Sequence, residues 1–119
     1  MLVRMDLVGT WALVEWTAAS EAETLHPSGP DAVGRIIYSP DGWMSAFLAR
    51  ADGFSDALAY SGTWERRGEE IVHRVSLSTR RGFVGADLVR TISWDGSDLV
   101  LTTPPRDGWV NRLRWRRAA

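Results

Sequence analysis

The chain has 119 residues, of which 45% are hydrophobic and 24% charged, with a formal net charge of −1. That length holds one domain with enough apolar surface for a core, and so even a charge balance gives no general field to draw nucleic acid or an acidic membrane. The lack of cysteine excludes disulfides and thiol nucleophiles and agrees with a reducing compartment.

Met1–Gly9 lacks the apolar core and small-residue cleavage site of a secretory signal, and no later stretch approaches a membrane span. The expectation is a cytoplasmic protein. All fourteen basic residues are arginine, and five of them (Arg106, Arg112, Arg114, Arg116 and Arg117) fall in the last fourteen positions.

Alternation of apolar and polar residues dominates from Gly9 onward, and helical periodicity is nearly absent. Eight strands are predicted: Gly9–Thr17, Val33–Ser39, Trp43–Ala49, Tyr60–Arg66, Glu70–Ser78, Asp87–Trp94, Asp98–Thr103 and Trp109–Arg116. A turn or two of helix is expected within Ala51–Ala59. Three connections are tight and carry hairpin residues: Asp41-Gly42, Gly68-Glu69 and Gly96-Ser97. The four others are longer. Short and long connections alternate strictly, and in a meander alternate connections lie at opposite ends. The predicted fold is therefore all-β: an eight-stranded antiparallel up-and-down barrel, with a floor of tight turns and a mouth rimmed by loops.

Strand pattern assigns the inner face. Ile71, His73, Val75 and Leu77 share one side of their strand; Leu88, Arg90, Ile92 and Trp94 share one side of the next; Trp109, Asn111, Leu113 and Trp115 share one side of the last. A two-residue Gly68-Glu69 turn sets Trp64 opposite His73, and a Gly96-Ser97 turn sets Trp94 opposite Leu99. If Ser78 pairs with Asp87, His73 faces Ile92 with Arg90 as its diagonal neighbour. Ile36, Tyr38, Trp43, Ser45 and Phe47 are assigned inward because Arg35 then points out. Trp11, Leu13 and Glu15 share the inner face of the first strand, with Val14 and Trp16 outside.

These residues resemble a known family. Gly9-Thr10-Trp11 has the Gly-x-Trp signature of lipocalin-type barrels, and the run Gly34-Arg35-Ile36-Ile37-Tyr38-Ser39-Pro40-Asp41-Gly42-Trp43-Met44-Ser45-Ala46 resembles the bacterial and fungal lipocalin-like domain family. Tyr60-Ser61-Gly62-Thr63, Val72-His73-Arg74-Val75, Arg90, Leu99-x-Leu101-Thr102 and Leu113-x-Trp115 extend the likeness along the chain. The chain departs from the family pattern at Arg74, where a second histidine is common, and in a shorter connection before Tyr60. The resemblance implies a short single barrel. Some members sit in natural-product pathways, and lipocalin-type barrels elsewhere range from carriers to cyclases.

Three residues are candidates for catalysis. His73 is either a core histidine satisfied by hydrogen bonding or a proton-transfer group. Arg90, a guanidinium on an apolar face, needs a partner to offset its desolvation: Glu15, a hydroxyl such as that of Tyr60, or an anionic or carbonyl group of a ligand. Tyr60 either packs or donates to a substrate oxygen. Candidate ligand-binding residues are Glu15, Tyr38, Trp43, Phe47, Trp64, Trp109 and Asn111. Trp11, Trp64, Trp94 and Trp115 are expected to plug the floor. With only His26 and His73, far apart and without a ligand cluster, neither a metal nor a cofactor is expected.

The expected function is binding of a small hydrophobic molecule in the barrel, as a cofactor-independent cyclase, isomerase or dehydratase of secondary metabolism. The alternatives are a non-catalytic carrier and a filled barrel acting as a dimeric structural module through Val14, Trp16 and Val100. The alternating Arg112, Arg114 and Arg116 are read as a solvated strand face rather than a nucleic-acid site.

Overall fold

A computed structural model describes residues 7–53 and 56–119. The strands are β1 (Gly9–Ala19), β2 (Thr24–Leu25), β3 (Val33–Tyr38), β4 (Trp43–Ala49), β5 (Leu58–Arg67), β6 (Glu70–Ser78), β7 (Asp87–Asp95), β8 (Asp98–Thr102) and β9 (Val110–Arg117). All neighbours are antiparallel in the order β1-β3-β4-β5-β6-β7-β8-β9, and β1 pairs with β9 to close the ring. The fold is the predicted eight-stranded up-and-down barrel. The two-residue β2 is an addition within the first long loop, where it pairs with the end of β1.

The expected helix in Ala51–Ala59 does not span that segment: residues 51–53 form a turn, β5 begins at Leu58, and residues 54 and 55 lie outside the described residues. A single 3-10 turn, Arg81–Phe83, sits instead in the β6–β7 loop. Among the described residues no helix is long and apolar enough to cross a membrane.

The tight turns share one end. Gly68 and Gly96 each adopt a φ of 62°, the left-handed conformation that opens a two-residue hairpin, and the flanking pairs Arg67↔Glu70 and Asp95↔Asp98 follow. Aromatic side chains fill this floor. Trp11 and Trp115 are 1% and 2% exposed, and the Trp11 indole donates to the carbonyl of Leu7, itself fully buried. Trp64 donates to the Ser39 carbonyl and packs its ring 4.9 Å from that of Tyr38. Trp94 is the outlier of the predicted four: it lies against Trp11 at 6.0 Å but remains 43% exposed.

Three predicted facings and one register are corrected, each for a local reason. The β3–β4 hairpin pairs Ser39 with Trp43 and loops through Pro40-Asp41-Gly42, three residues rather than two. One extra loop residue inverts the following strand. Met44, Ala46 and Leu48 therefore point in, and Trp43, Ser45 and Phe47 point out.

In β6 a bulge between Ser61 and Gly62 of the partner strand places two residues against one. The alternation slips there, so Val75 is buried and Leu77 is 69% exposed. Gly62 makes this close approach feasible, since a Cβ there would meet the Arg74 carbonyl oxygen at 1.8 Å.

A second bulge, in β1 between Leu13 and Glu15, exchanges the two residues beyond it. Trp16 lies across from Leu113 on the inner face, and Glu15 lies across from Arg114 on the outer one.

The β6–β7 ladder begins earlier than expected. His73 is opposite Leu88 and Arg74 opposite Asp87, because the chain leaves the ladder after Val75, whose backbone bonds Gly85 and Ala86. Arg90 remains the diagonal neighbour of His73, now opposite Ile71.

The Arg112, Arg114 and Arg116 side of β9 faces outward. Arg114 and Arg116 converge on Asp98, which is 4% exposed, at 2.7 and 3.0 Å. Hydrogen bonds from these two guanidinium groups hold the Asp98 carboxyl below its ordinary pKa. Val100, paired with Arg114 across the β8–β9 ladder, is 1% exposed, so it offers no surface for contact with a second chain.

Candidate functional site

Above the aromatic floor the barrel is hollow. A cavity of about 170 Å³ is enclosed by Ile36, Ala46, Leu48, Leu58, Leu101 and Leu113, with Trp16, Tyr60, His73, Phe83, Arg90, Thr103, Asn111 and Trp115 among its walls. An apolar cavity of roughly 150 Å³ is enough for a benzene-sized guest. The β7–β8 ladder ends at Thr91↔Thr102. Beyond it Asp87–Arg90 and Thr103–Asp107 flank a groove of about 580 Å³. Groove and lumen share Arg80, Phe83, Arg90, Thr103 and Asn111, so the two spaces adjoin along these side chains.

His73 stands at the junction of floor and lumen, 1% exposed. Its Nε2 lies 2.7 Å from the Tyr38 hydroxyl and its Nδ1 lies 2.9 Å from the Tyr60 hydroxyl. β3, β6 and β5 thus contribute one polar residue each to a buried Tyr-His-Tyr chain. Burial, reinforced by the Arg90 charge, lowers the histidine pKa to about 3, so the ring is neutral at physiological pH. Burial also raises the Tyr60 phenol to about 12 and Tyr38 well above its ordinary value. All three members are uncharged.

Arg90 is partly buried, and it borders both lumen and groove. Its Nη1 donates to the Val89 carbonyl at 3.0 Å. No carboxylate among the described residues lies within ion-pair distance of it. Glu15, one of the three candidate partners, is on the other side of the wall. Burial pulls the Arg90 pKa down, while the nearby tyrosines act in the opposite direction. A guanidinium has five N–H groups, and Val89 takes only one of them, on a residue that lines the open space.

Trp16 is the lining residue that sequence pattern missed: its indole N–H donates to Asn111 Oδ1 at 2.9 Å across β1 and β9. Only the β1 bulge turns it inward, and a bulge leaves no compositional mark. Phe83, on the 3-10 turn, packs edge-on against Tyr60 at 5.8 Å with Arg80 over its other side at 4.8 Å, closing the lumen from above. Of the expected ligand contacts, Asn111 lines the lumen and Trp109 lines the groove. Tyr38 touches the space only through His73, Trp64 belongs to the floor, and Glu15, Trp43 and Phe47 face outward. Among the described residues no group of three or more metal-ligating side chains converges.

With this geometry in view, the comparison with known proteins is direct. Residues 8–53 match the lipocalin-like domain family. That stretch contains the Gly-x-Trp start of β1 and the β3–β4 hairpin. Among solved structures the barrel is similar to wild-type fluorescent protein UnaG, with 14% identity over 96% of this chain and 98% of that one, at a TM-score of 0.53. Two single-residue variants of UnaG align at 14% and 16% identity over 98% of this chain and 99% of theirs, with TM-scores of 0.55 and 0.56. At such identities the likeness is one of fold. No curated protein sequence matches the chain.

Proposed function

We propose that this lipocalin-like barrel binds a small, largely apolar molecule in its lumen and holds the molecule's polar end at Arg90. The observation that carries this reading is a partly buried guanidinium on the wall of an apolar cavity with no carboxylate beside it. A structural arginine in such a place is normally offset by an ion pair. Here the counterpart is a guest. The lumen alone suits a single ring, and with the adjoining groove the space reaches the roughly 300–1,000 Å³ typical of ligand sites.

A catalytic reading, as a cofactor-independent cyclase, isomerase or dehydratase of secondary metabolism, draws on the Tyr38–His73–Tyr60 chain, which reaches from the floor to the lumen. His73 itself is a poor base, since its pKa is about 3 and efficient acid–base groups titrate near the working pH. In this reading Tyr60 and Arg90 stabilise an oxygen on a substrate that the walls hold in a reactive shape.

Mass spectrometry of the gently purified protein tests the primary reading, paired with thermal shift against small aromatic acids on the wild type and on Arg90→Met. A bound compound or a stabilising acid that the variant fails to respond to is expected. An empty wild-type barrel that no acid stabilises contradicts it. Chemical change of the captured compound separates enzyme from carrier.

A further inference from the structure

The hydrogen-bond chain through His73 has a direction, and that direction selects the ligand. A neutral imidazole has one N–H donor and one bare nitrogen. One tyrosine must therefore donate to the ring, and the other must accept from it and send its own proton elsewhere. Among the described residues the hydroxyl of Tyr38 has His73 Nε2 as its sole hydrogen-bond partner, and Tyr38 is 1% exposed and absent from the cavity wall. If Tyr38 accepted, its O–H would be a buried, unpaired donor, which is unfavourable. Tyr60 is on the cavity wall, where a proton can find a guest or a water. The arrangement is then Tyr38 O–H to Nε2, Nδ1–H to the Tyr60 oxygen, and Tyr60 O–H into the lumen.

The other polar groups of the wall point the same way. The Trp115 side chain lies on the same wall, and its buried indole N–H has no hydrogen-bond partner among the described residues, an uncommon state for a native donor. Asn111 Oδ1 is taken by the Trp16 N–H, a donor only, which leaves the amide N–H₂ of Asn111 to give. Thr103 Oγ1 accepts from the Asn111 backbone N–H, leaving its own proton to give. Arg90 carries no acceptor at all. Each side-chain acceptor named here already receives one protein donor, whereas the donors of Arg90, Asn111, Thr103 and Tyr60 outnumber them.

We infer that the lumen is a donor-rich site, with Tyr60 oriented by Tyr38 through His73, and that it prefers compact apolar molecules bearing carbonyl or carboxylate oxygen over amines and other donor-headed compounds. This rests on the ligand-binding reading above and narrows it to one chemical class.

The test has two parts whose failures differ. In a His26→Gln variant, which leaves His73 as the sole histidine, ¹⁵N NMR at neutral pH reports which ring nitrogen bears the proton. A protonated Nδ1 with a bare Nε2 is expected, and a protonated Nε2 overturns the inference. The second part compares acetophenone with α-methylstyrene, molecules of one shape in which a carbonyl oxygen replaces a CH₂ group. The wild type should bind the ketone about tenfold more tightly, the usual worth of a buried hydrogen bond, and Tyr60→Phe should narrow that gap. Equal binding of the two by the wild type overturns the inference. If neither probe binds at all, the ligand-binding reading itself falls, and the proton position on His73 still decides the direction of the chain.

Discussion

The Tyr60 hydroxyl lies 2.9 Å from Nδ1 of His73, and this contact joins the solid lower half of the barrel to its hollow upper half. Below it Tyr38, Trp64 and Trp11 pack without space; above it the wall residues enclose room for a guest.

Acid should weaken the fold through His73. In the unfolded chain the imidazole takes up a proton near its ordinary pKa of 6.5, whereas in the folded barrel it does so only at about 3. Between those values the unfolded state binds more protons, so stability falls as pH falls, by at most about 1.4 kcal/mol per pH unit. Urea unfolding at pH 7 and pH 5 should differ by about 2 kcal/mol in the wild type, and His73→Gln should lack that difference. An unchanged slope in the variant contradicts a neutral, buried His73.

Removing the two hydroxyls should have unequal effects. Tyr38→Phe leaves Nε2 of His73 bare in a packed region that water cannot reach, at a cost of about 1–3 kcal/mol. Tyr60→Phe opens its gap beside the lumen, where a water can replace the lost group, and its cost should be under about 1 kcal/mol. Denaturant midpoints of the two variants give the comparison directly.

Gly62→Ala should be among the most damaging single-methyl additions in the chain. The new Cβ would press on the Arg74 backbone at the β5–β6 bulge, and backbone cannot move aside as a side chain does. A loss of about 3 kcal/mol is expected, read as a fall in thermal midpoint. A variant as stable as the wild type would mean that the bulge is not where the structure has it.

Arg90→Met should stabilise the free protein by about 1 kcal/mol, because it removes a desolvated charge that no carboxylate offsets. The same change should abolish recognition of acidic guests. Gain of stability with loss of binding marks a residue kept for function, and chemical denaturation beside the ligand assay shows both.

Much of this was legible in the residue pattern. Strand positions, barrel closure and the Trp64–His73 and Trp94–Leu99 pairings follow from alternation and from the two-residue turns at Gly68-Glu69 and Gly96-Ser97. Inward placement of His73, Arg90, Tyr60 and Asn111 follows from the same parity. Parity is also where sequence reasoning stops. One additional residue in the Pro40-Asp41-Gly42 loop turned Trp43 and Phe47 outward. The bulge before Glu15 exchanged it with Trp16, and so removed the one carboxylate among the candidate partners of Arg90. Bulges follow from how strands twist to close a barrel, a property of the assembled sheet rather than of any local run of residues. The Tyr38–His73–Tyr60 chain was hidden for a similar reason. Its three members come from β3, β6 and β5, and only the closed barrel brings the first to the second.

The central claim is that a guest occupies the lumen beside Arg90, and isotope-filtered NMR between unlabelled benzoate and ¹³C-labelled protein tests it most directly. The account predicts intermolecular NOEs from the benzoate ring to the methyl groups of Leu48, Leu101 and Leu113, all on the inner wall. NOEs confined to outward side chains such as Leu77 and Ile37, or none at saturating benzoate, would contradict it.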